Sequence, residues 1–336
     1  MSAALVSDII MKELPDVVII GVTGTRGKST TTELIAHILR ENGSRVHLGG
    51  NIRGLANLPL LDEIEDGDFL VLELDSWQLQ GFGDMNISPH IAVFTSFMDD
   101  HMNYYKNDKE LYFNDKANIY RNQKSGDILI ASAQASSEII MRGEKLSILI
   151  PEQQHFETKL IGEHNQVACG LAYEVASQCG LDDESIRNSI VTFSAVHGRL
   201  EDMGLFKNSV RVYNDNNGTT EDATVTAVES ILSMYNKKPI LIVGGADKFL
   251  PIAKLEETIQ SKTKNVVYLL GTGTARITLP KDYEFEKLED CIAKAFELAE
   301  EGDIILFSPA FASFSKYFNN EYERNDLFVK EVEKYR

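Results

Sequence analysis

Short apolar, β-rich runs alternate along this chain with longer stretches of helical periodicity. Residues 17–22, 69–74, 91–95 and 127–131 read as strands, and residues 28–41 and 108–121 between them read as helices. A second alternating series follows, with strands at 210–213, 239–243, 266–270 and 303–307 and helices near 220–234, 255–262 and 289–300. Repeated strand–helix alternation implies mainly parallel sheets covered by helices on both faces, so the expected fold class is α/β. The first series gives way to the second near residues 196–201, which sets expected domains at 1–197 and 198–336. No low-complexity linker and no internal repeat is present.

Length and composition agree with that division. At 336 residues the chain is long for one core and comfortable for two. Its 43% hydrophobic and 25% charged residues are those of an ordinary globular protein. No apolar run approaches the roughly 20 residues a membrane helix needs. Residues 1–16 carry an acidic residue in a mildly apolar stretch and no basic start, unlike a secretory signal. Cys169, Cys179 and Cys291 lack metal-ligand spacing, so a reduced, cytoplasmic setting is expected.

Charge narrows the partners. The formal charge of −18, from 33 basic and 51 acidic residues, repels nucleic acid and anionic membrane, and neither is expected as a partner. It also makes anionic substrates harder to attract. Any phosphate site must therefore be built locally, from backbone N–H groups and a few cations.

The segment Gly21-Val22-Thr23-Gly24-Thr25-Arg26-Gly27-Lys28-Ser29-Thr30 supplies such a site, because it follows a strand and opens a helix. Its glycines let the backbone curl so that N–H groups face a phosphate, and the helix N-terminus adds partial positive charge. Lys28 would reach the β- and γ-phosphates, and the Ser29 hydroxyl would ligate Mg²⁺. The bland alternative is a glycine turn before a buried helix, with Lys28 merely solvated. Val22 stands where the general G-x-x-x-x-G-K-[ST] loop has its first glycine, so this loop is a variant.

The variant form, G-x-T-G-T-x-G-K-[ST]-[ST], resembles that of the Mur ligases and the related folylpolyglutamate synthases. The likeness continues along almost the whole chain. Gly49-Gly50-Asn51-Ile52 looks like G-G-N-I-G, with Arg53 in place of the last glycine. Glu73-Leu74-Asp75-Ser76-Trp77-Gln78-Leu79 is similar to E-L-S-S-F-Q-L, a form characteristic of the D-glutamate-adding members. Asp99-Asp100-His101-Met102 matches E-D-H-[LM], and Gly162-Glu163-His164-Asn165 resembles G-x-H-N. Ser308-Pro309-Ala310-Phe311-Ala312-Ser313-Phe314 and the later Asn320–Arg324 look like S-P-A-x-A-S-F…N-E-x-x-R-G.

The resemblance implies a P-loop central ATPase domain with a mainly parallel sheet, followed by a C-terminal Rossmann-like α/β domain that binds the amino acid. It implies an ATP-dependent, ADP-forming carboxylate–amine ligase of peptidoglycan synthesis, adding D-glutamate to UDP-N-acetylmuramoyl-L-alanine. An acyl phosphate would form first, and the amine would then displace phosphate. Gly24, Thr25, Gly27, Lys28, Ser29, Thr30, Asn165, Arg199 and Asp215 would bind the nucleotide. Glu73 would hold one Mg²⁺ and His101 a second, with Lys116 carbamylated by CO₂ as a further oxygen ligand. Asn51, Asp75, Thr219, Lys248 and Ser313 would contact the substrates. Closure of one domain on the other would bring Arg199 to the nucleotide and shield the acyl phosphate from water.

On their own these residues say less. Lys116 would be a surface lysine and Lys248 a solvated loop lysine. Glu73, ending an apolar strand beside the loop, is more informative as a candidate metal ligand, with a satisfied structural role as its alternative. His101 alone decides nothing.

The chain also departs from the family pattern. Asn217 in Asn214-Asp215-Asn216-Asn217-Gly218-Thr219-Thr220 replaces the lysine of N-D-S-K-A-T-N, and Ala168 replaces the second asparagine of H-N-x-x-N. Asp75 and Trp77 alter E-L-S-S-F-Q-L and place another negative charge near the metal site. Members of the family carry an N-terminal domain for the UDP end of the precursor, whereas here the loop begins about twenty residues from Met1. A truncation, a partner protein supplying that function, or an acceptor without UDP would each account for it. Two alternatives stay open beside the leading reading: a related ligase with a different acceptor or amino acid, and a nucleotide-binding protein with weakened catalysis.

Overall fold

The computed structural model describes residues 2–102, 104–314 and 318–336. The chain forms two compact units, one of Met1–Lys159 with His164–Phe193, the other of Leu160–Glu163 with Ser194–Arg336.

The first unit opens with α1 (Ser2–Glu13), β1 (Val18–Thr23), α2 (Lys28–Glu41), β2 (Val46–Gly50), α3 (Leu60–Glu63) and β3 (Phe69–Glu73). It continues through α4 (Ser76–Met85), β4 (Ile91–Phe94), α5 (Lys109–Ala117), β5 (Ile128–Ala131), α6 (Ala133–Met141) and β6 (Ile148–Leu149). Helices α7 (Glu163–Gln178) and α8 (Asp183–Thr192) follow. The strands form one parallel sheet in the order β2-β3-β1-β4-β5-β6. Strands β1, β3 and β4 are apolar at successive positions because helices cover both faces. Leu34, Leu72 and Phe94 are buried in this unit, and each such side chain contributes about 1.5–3 kcal/mol by leaving water.

The second unit contains β7 (Glu201–Phe206), β8 (Val210–Asn214), α9 (Glu221–Tyr235), β9 (Ile240–Gly244), α10 (Ala253–Lys262) and β10 (Asn265–Leu269). It ends with β11 (Glu284–Phe285), α11 (Leu288–Leu298), β12 (Ile304–Phe307) and α12 (Glu321–Val332). Its sheet runs β11-β10-β9-β12-β8-β7, parallel except where β7 returns antiparallel along β8.

Helix α2 occupies the residues expected for it, and the expected strands are present with ends moved by a residue or so. The helix expected at 108–121 is shorter: Asp108 caps α5, and α5 stops at Ala117. Strand β7 has no counterpart in the sequence reading. Its partly exposed edge, with a bulge between Asp202 and Leu205, erases the apolar pattern. No helix among the described residues is long and apolar enough to cross a membrane.

Candidate active site

In the first sheet β1 lies between β3 and β4, and the register sets Val22 beside Glu73 and Thr23 beside Phe94. The segments leaving the carboxyl ends of these three strands therefore converge, which is where open α/β sheets bind ligands. After β1 the chain turns through Gly24, whose φ is +149°, and a side chain there would meet the Thr95 hydroxyl at 2.0 Å. Gly27, at φ 83°, leads directly into α2, whose first three residues are Lys28, Ser29 and Thr30.

The segment after β4 fastens this loop. Thr25 N–H donates to the Ser96 carbonyl (2.7 Å), Arg26 N–H to the Ser96 hydroxyl (2.8 Å), and Met98 N–H to the Thr25 hydroxyl (3.0 Å). Arg26 also pairs with Asp100 at 3.1 Å. The loop between β1 and α2 is thus held from outside by Thr95–Asp100, a role that sequence reading missed because it rests on long-range hydrogen bonds.

Lys116 is not the surface residue that its sequence alone suggests: it is 1% exposed. Its Nζ donates to the Gly24 carbonyl (2.9 Å) and the Thr23 hydroxyl (3.4 Å). Lys28 Nζ donates to the same Gly24 carbonyl at 3.1 Å. Burial pushes the Lys116 ammonium far below its ordinary pKa, and the charge of Lys28 adds to this against Asp75, Asp100 and Glu73. Asp115, the neighbouring residue on α5, fixes the helix by accepting from Tyr105 Oη (2.8 Å) and Gln80 Nε2 (2.7 Å).

Glu73 is 4% exposed at the end of β3, and its carbonyl accepts from Asn51 N–H at 2.7 Å. Gly50 makes that approach possible, since at φ +84° a side chain would strike the Glu73 carbonyl at 2.0 Å. His101 adopts φ 56° and lies edge-on to Trp77, with ring centroids 4.7 Å apart. Trp77 also meets Tyr104 at 5.2 Å, and the Tyr112 ring is 6.1 Å from His101. Asn165 is buried on the first turn of α7.

Among the described residues, no group of three or more His, Cys, Asp or Glu side chains is placed to hold a metal ion. The oxygen donors Ser29 and Glu73 suit a hard cation. Lys116 as an ammonium does not, and would serve as a ligand only once converted to an oxygen donor.

The second unit brings another group together. Lys248 Nζ donates to the Thr219 hydroxyl at 2.9 Å. Ser313 is buried beside Ala312, which pairs with Ala246, two residues before Lys248. Asp215 accepts from the Ser308 hydroxyl (2.7 Å) and from Leu200 N–H (3.2 Å), next to the half-buried Arg199.

Comparison with known proteins accords with this arrangement. Residues 22–150 match the Mur ligase middle domain. The UDP-N-acetylmuramoylalanine–D-glutamate ligase of Borreliella afzelii is 34% identical, over 94% of this chain and 74% of its own length. The chain belongs to the Mur ligase family. A second relative, of the same name, from Geobacillus kaustophilus, is also 34% identical over 94% of this chain and 74% of its own. Among solved structures, the MurF ligase of Thermotoga maritima in complex with ADP aligns with TM-score 0.73 at 18% identity, covering 99% of this chain and 83% of its own. A folylpolyglutamate synthase of L. casei aligns with TM-score 0.63 at 17% identity, covering 92% of both chains. The two-unit α/β fold is therefore that of Mur ligases.

As a Mur ligase, the chain keeps local structure at one departure. Asp75 N-caps α4: its carboxylate accepts from Gln78 N–H at 2.7 Å, and the Gln78 side chain accepts from Asp75 N–H at 3.3 Å. Serine and aspartate cap helices equally well, so Asp75 fills the structural place of the serine in E-L-S-S-F-Q-L.

Proposed function

We propose that this chain is an ATP-dependent, ADP-forming carboxylate–amine ligase that adds D-glutamate to UDP-N-acetylmuramoyl-L-alanine in peptidoglycan synthesis. The observation that carries this reading is the extent of the match to the D-glutamate ligase relatives, 94% of the chain. It runs through both units and takes in the Thr219, Lys248 and Ser313 segments, which a simple nucleotide-binding protein would not need.

In this reading the loop N–H groups from Gly24 to Thr30 and the Lys28 ammonium hold the ATP phosphates. The acceptor carboxylate attacks the γ-phosphorus, the bond to the ADP oxygen breaks, and an acyl phosphate forms. The D-glutamate nitrogen then attacks the acyl carbon, phosphate leaves, and the amine loses a proton. Lys248, with Thr219 and Ser313, binds the amino acid, and Asn165, Arg199 and Asp215 bind the nucleotide. Asn51 and Asp75 border the acceptor. Ser29 and Glu73 would hold one Mg²⁺, and His101 with the carbamate of Lys116 a second. Such ions supply charge neutralisation to the phosphoryl group and the carboxylate. The neutral Lys116 amine attacks the carbon of CO₂ and releases a proton, which replaces a buried cation with an oxygen donor. A cytoplasmic setting goes with ATP use.

The replacement of the family lysine by Asn217 favours a second reading, in which the acceptor or the amino acid differs or turnover is weak. Acceptor labelled with ¹⁸O in its carboxylate tests the mechanism. Transfer of one label to released phosphate is expected for an acyl phosphate, whereas unlabelled phosphate formed with ADP would mean plain hydrolysis.

A further inference from the structure

The backbone of Arg26 is held by two hydroxyls that follow β4 one after the other. Ser96 Oγ accepts from Arg26 N–H at 2.8 Å and donates to the Arg26 carbonyl at 3.0 Å. Thr95 Oγ1 lies 2.5 Å from the same carbonyl and 3.1 Å from that of Thr23. The Thr23 carbonyl already accepts from Thr95 N–H at 2.8 Å. A hydroxyl has a single proton to give, so the nearer Arg26 carbonyl takes it. Both lone pairs of the Arg26 oxygen are then occupied, and its direction is fixed.

That direction decides where the next donor points. Across a planar trans peptide the N–H lies opposite the carbonyl. The Gly27 N–H therefore faces away from Thr95 and Ser96, at an exposed residue with φ 83°. The Arg26 carbonyl is also the acceptor that Thr30 N–H would take if α2 began earlier, and the two hydroxyls withhold it. Among the described residues, neither the Gly27 nor the Thr30 N–H donates to a protein acceptor. The Thr25 and Arg26 N–H groups, by contrast, are spent on the Ser96 carbonyl and hydroxyl, at 2.7 and 2.8 Å. Donors left open where a loop enters a helix are what an anion takes.

Resting on the nucleotide-binding reading above, we propose that Thr95 and Ser96 are positioning residues for the ATP phosphates. By holding the Arg26 carbonyl they turn the Gly27 N–H toward the phosphate chain and keep the Thr30 N–H unpaired. The Thr25 and Arg26 N–H groups thereby drop out of the donor set, which narrows to the groups nearest the start of α2.

Thr95→Val keeps the shape of the side chain and removes one hydroxyl, and Ser96→Ala removes the other. Calorimetry with ADP, run well below the melting midpoint, is expected to show each variant binding about tenfold more weakly and the double variant about a hundredfold. KM for ATP should rise by more than kcat falls. Thr95→Ser and Ser96→Thr keep a hydroxyl and should bind ADP within about twofold of the wild type. Hydroxyls that served stability alone would lower the melting midpoint and leave ADP affinity unmoved. Wild-type ADP affinity in the folded double variant overturns the inference, as does an equal loss in the conservative variants. Should the double variant not fold, wild-type affinity in Thr95→Val overturns it. A wild type that binds ADP but makes no D-glutamyl amide sinks the proposed ligase reaction alone, and the ADP affinities still decide the inference. A wild type that binds no ADP overturns the inference together with the nucleotide-binding reading.

Discussion

Lys28 and Lys116 donate to one and the same acceptor, the carbonyl oxygen of Gly24, at 3.1 and 2.9 Å. Two ammonium groups sharing a carbonyl repel each other, and Lys116 has no water to dilute its charge. Lys28 comes from the helix after β1 and Lys116 from the helix after β4, so this pairing arises only in the folded sheet. The arrangement favours the neutral amine at Lys116, the form that reacts with CO₂. Conversion to a carbamate would relieve the repulsion and supply an oxygen ligand beside the phosphate loop.

Lys116→Ala is therefore expected to lower amide formation by at least about a hundredfold, as removal of a positioned charge at a reaction centre does. A short carboxylate added to the assay should restore part of the rate, and removal of CO₂ should slow the wild type but not the variant. An ADP-release assay run with and without bicarbonate reads both effects. An undiminished rate in Lys116→Ala would remove the assignment.

Asp75→Ser should preserve the cap on α4 and change stability by only a few tenths of a kcal/mol, with activity retained. Asp75→Ala should cost about 1 kcal/mol. Denaturant titration gives the stabilities. A large loss of activity in a fully stable Asp75→Ser would show that the carboxylate acts on substrate and not only as a cap.

Trp77 supports the His101 ring by its edge-on contact. Trp77→Phe, the residue in the family motif, is expected to keep most of the activity, whereas Trp77→Ala should lower kcat by up to about tenfold, the worth of one aromatic pair. Steady-state kinetics with the fold checked by circular dichroism decides it, and equal rates in all three proteins would contradict the role.

Asp68, just before β3, supplies an acid-sensitive element of the first unit. Burial alone would raise its pKa, but the Glu65 N–H, the His47 side chain and the Arg45 charge outweigh it, and the carboxyl is held below its ordinary range. The Glu65 N–H lies 2.9 Å and His47 Nε2 2.8 Å from its Oδ2. A depressed folded pKa means stability that is present above the unfolded value of about 3.9 and lost as pH falls through the folded one. Asp68→Asn should thus lower the melting midpoint at neutral pH and converge with the wild type once Asp68 is protonated in the folded chain. A constant gap from neutral to strongly acid pH would contradict this.

Much of the fold was legible because parallel strands covered on both faces are uniformly apolar. The order β1, α2, β3, β4, α5 and β5, and that of β8, α9, β9, α10, β10, α11 and β12, follows from that pattern. Strands β2 and β7 were not legible: β2 ends in Gly49-Gly50, and β7 is a bulged edge with polar positions. The turn from β1 into α2 could be read because Gly24, Gly27 and Lys28 are local in sequence. The burial of Lys116 could not, since it depends on the loop 92 positions earlier in the chain. The Thr95–Asp100 clamp was hidden for the same reason.

The most direct measurement is product mass from ATP, Mg²⁺, UDP-N-acetylmuramoyl-L-alanine and D-glutamate, run beside other amino acids and beside no amino acid. The expected result is a new D-glutamyl amide formed one for one with ADP and absent from the Lys28→Ala variant. ATP binding with no amide, or ADP release indifferent to the amino acid, would contradict the proposed ligase activity.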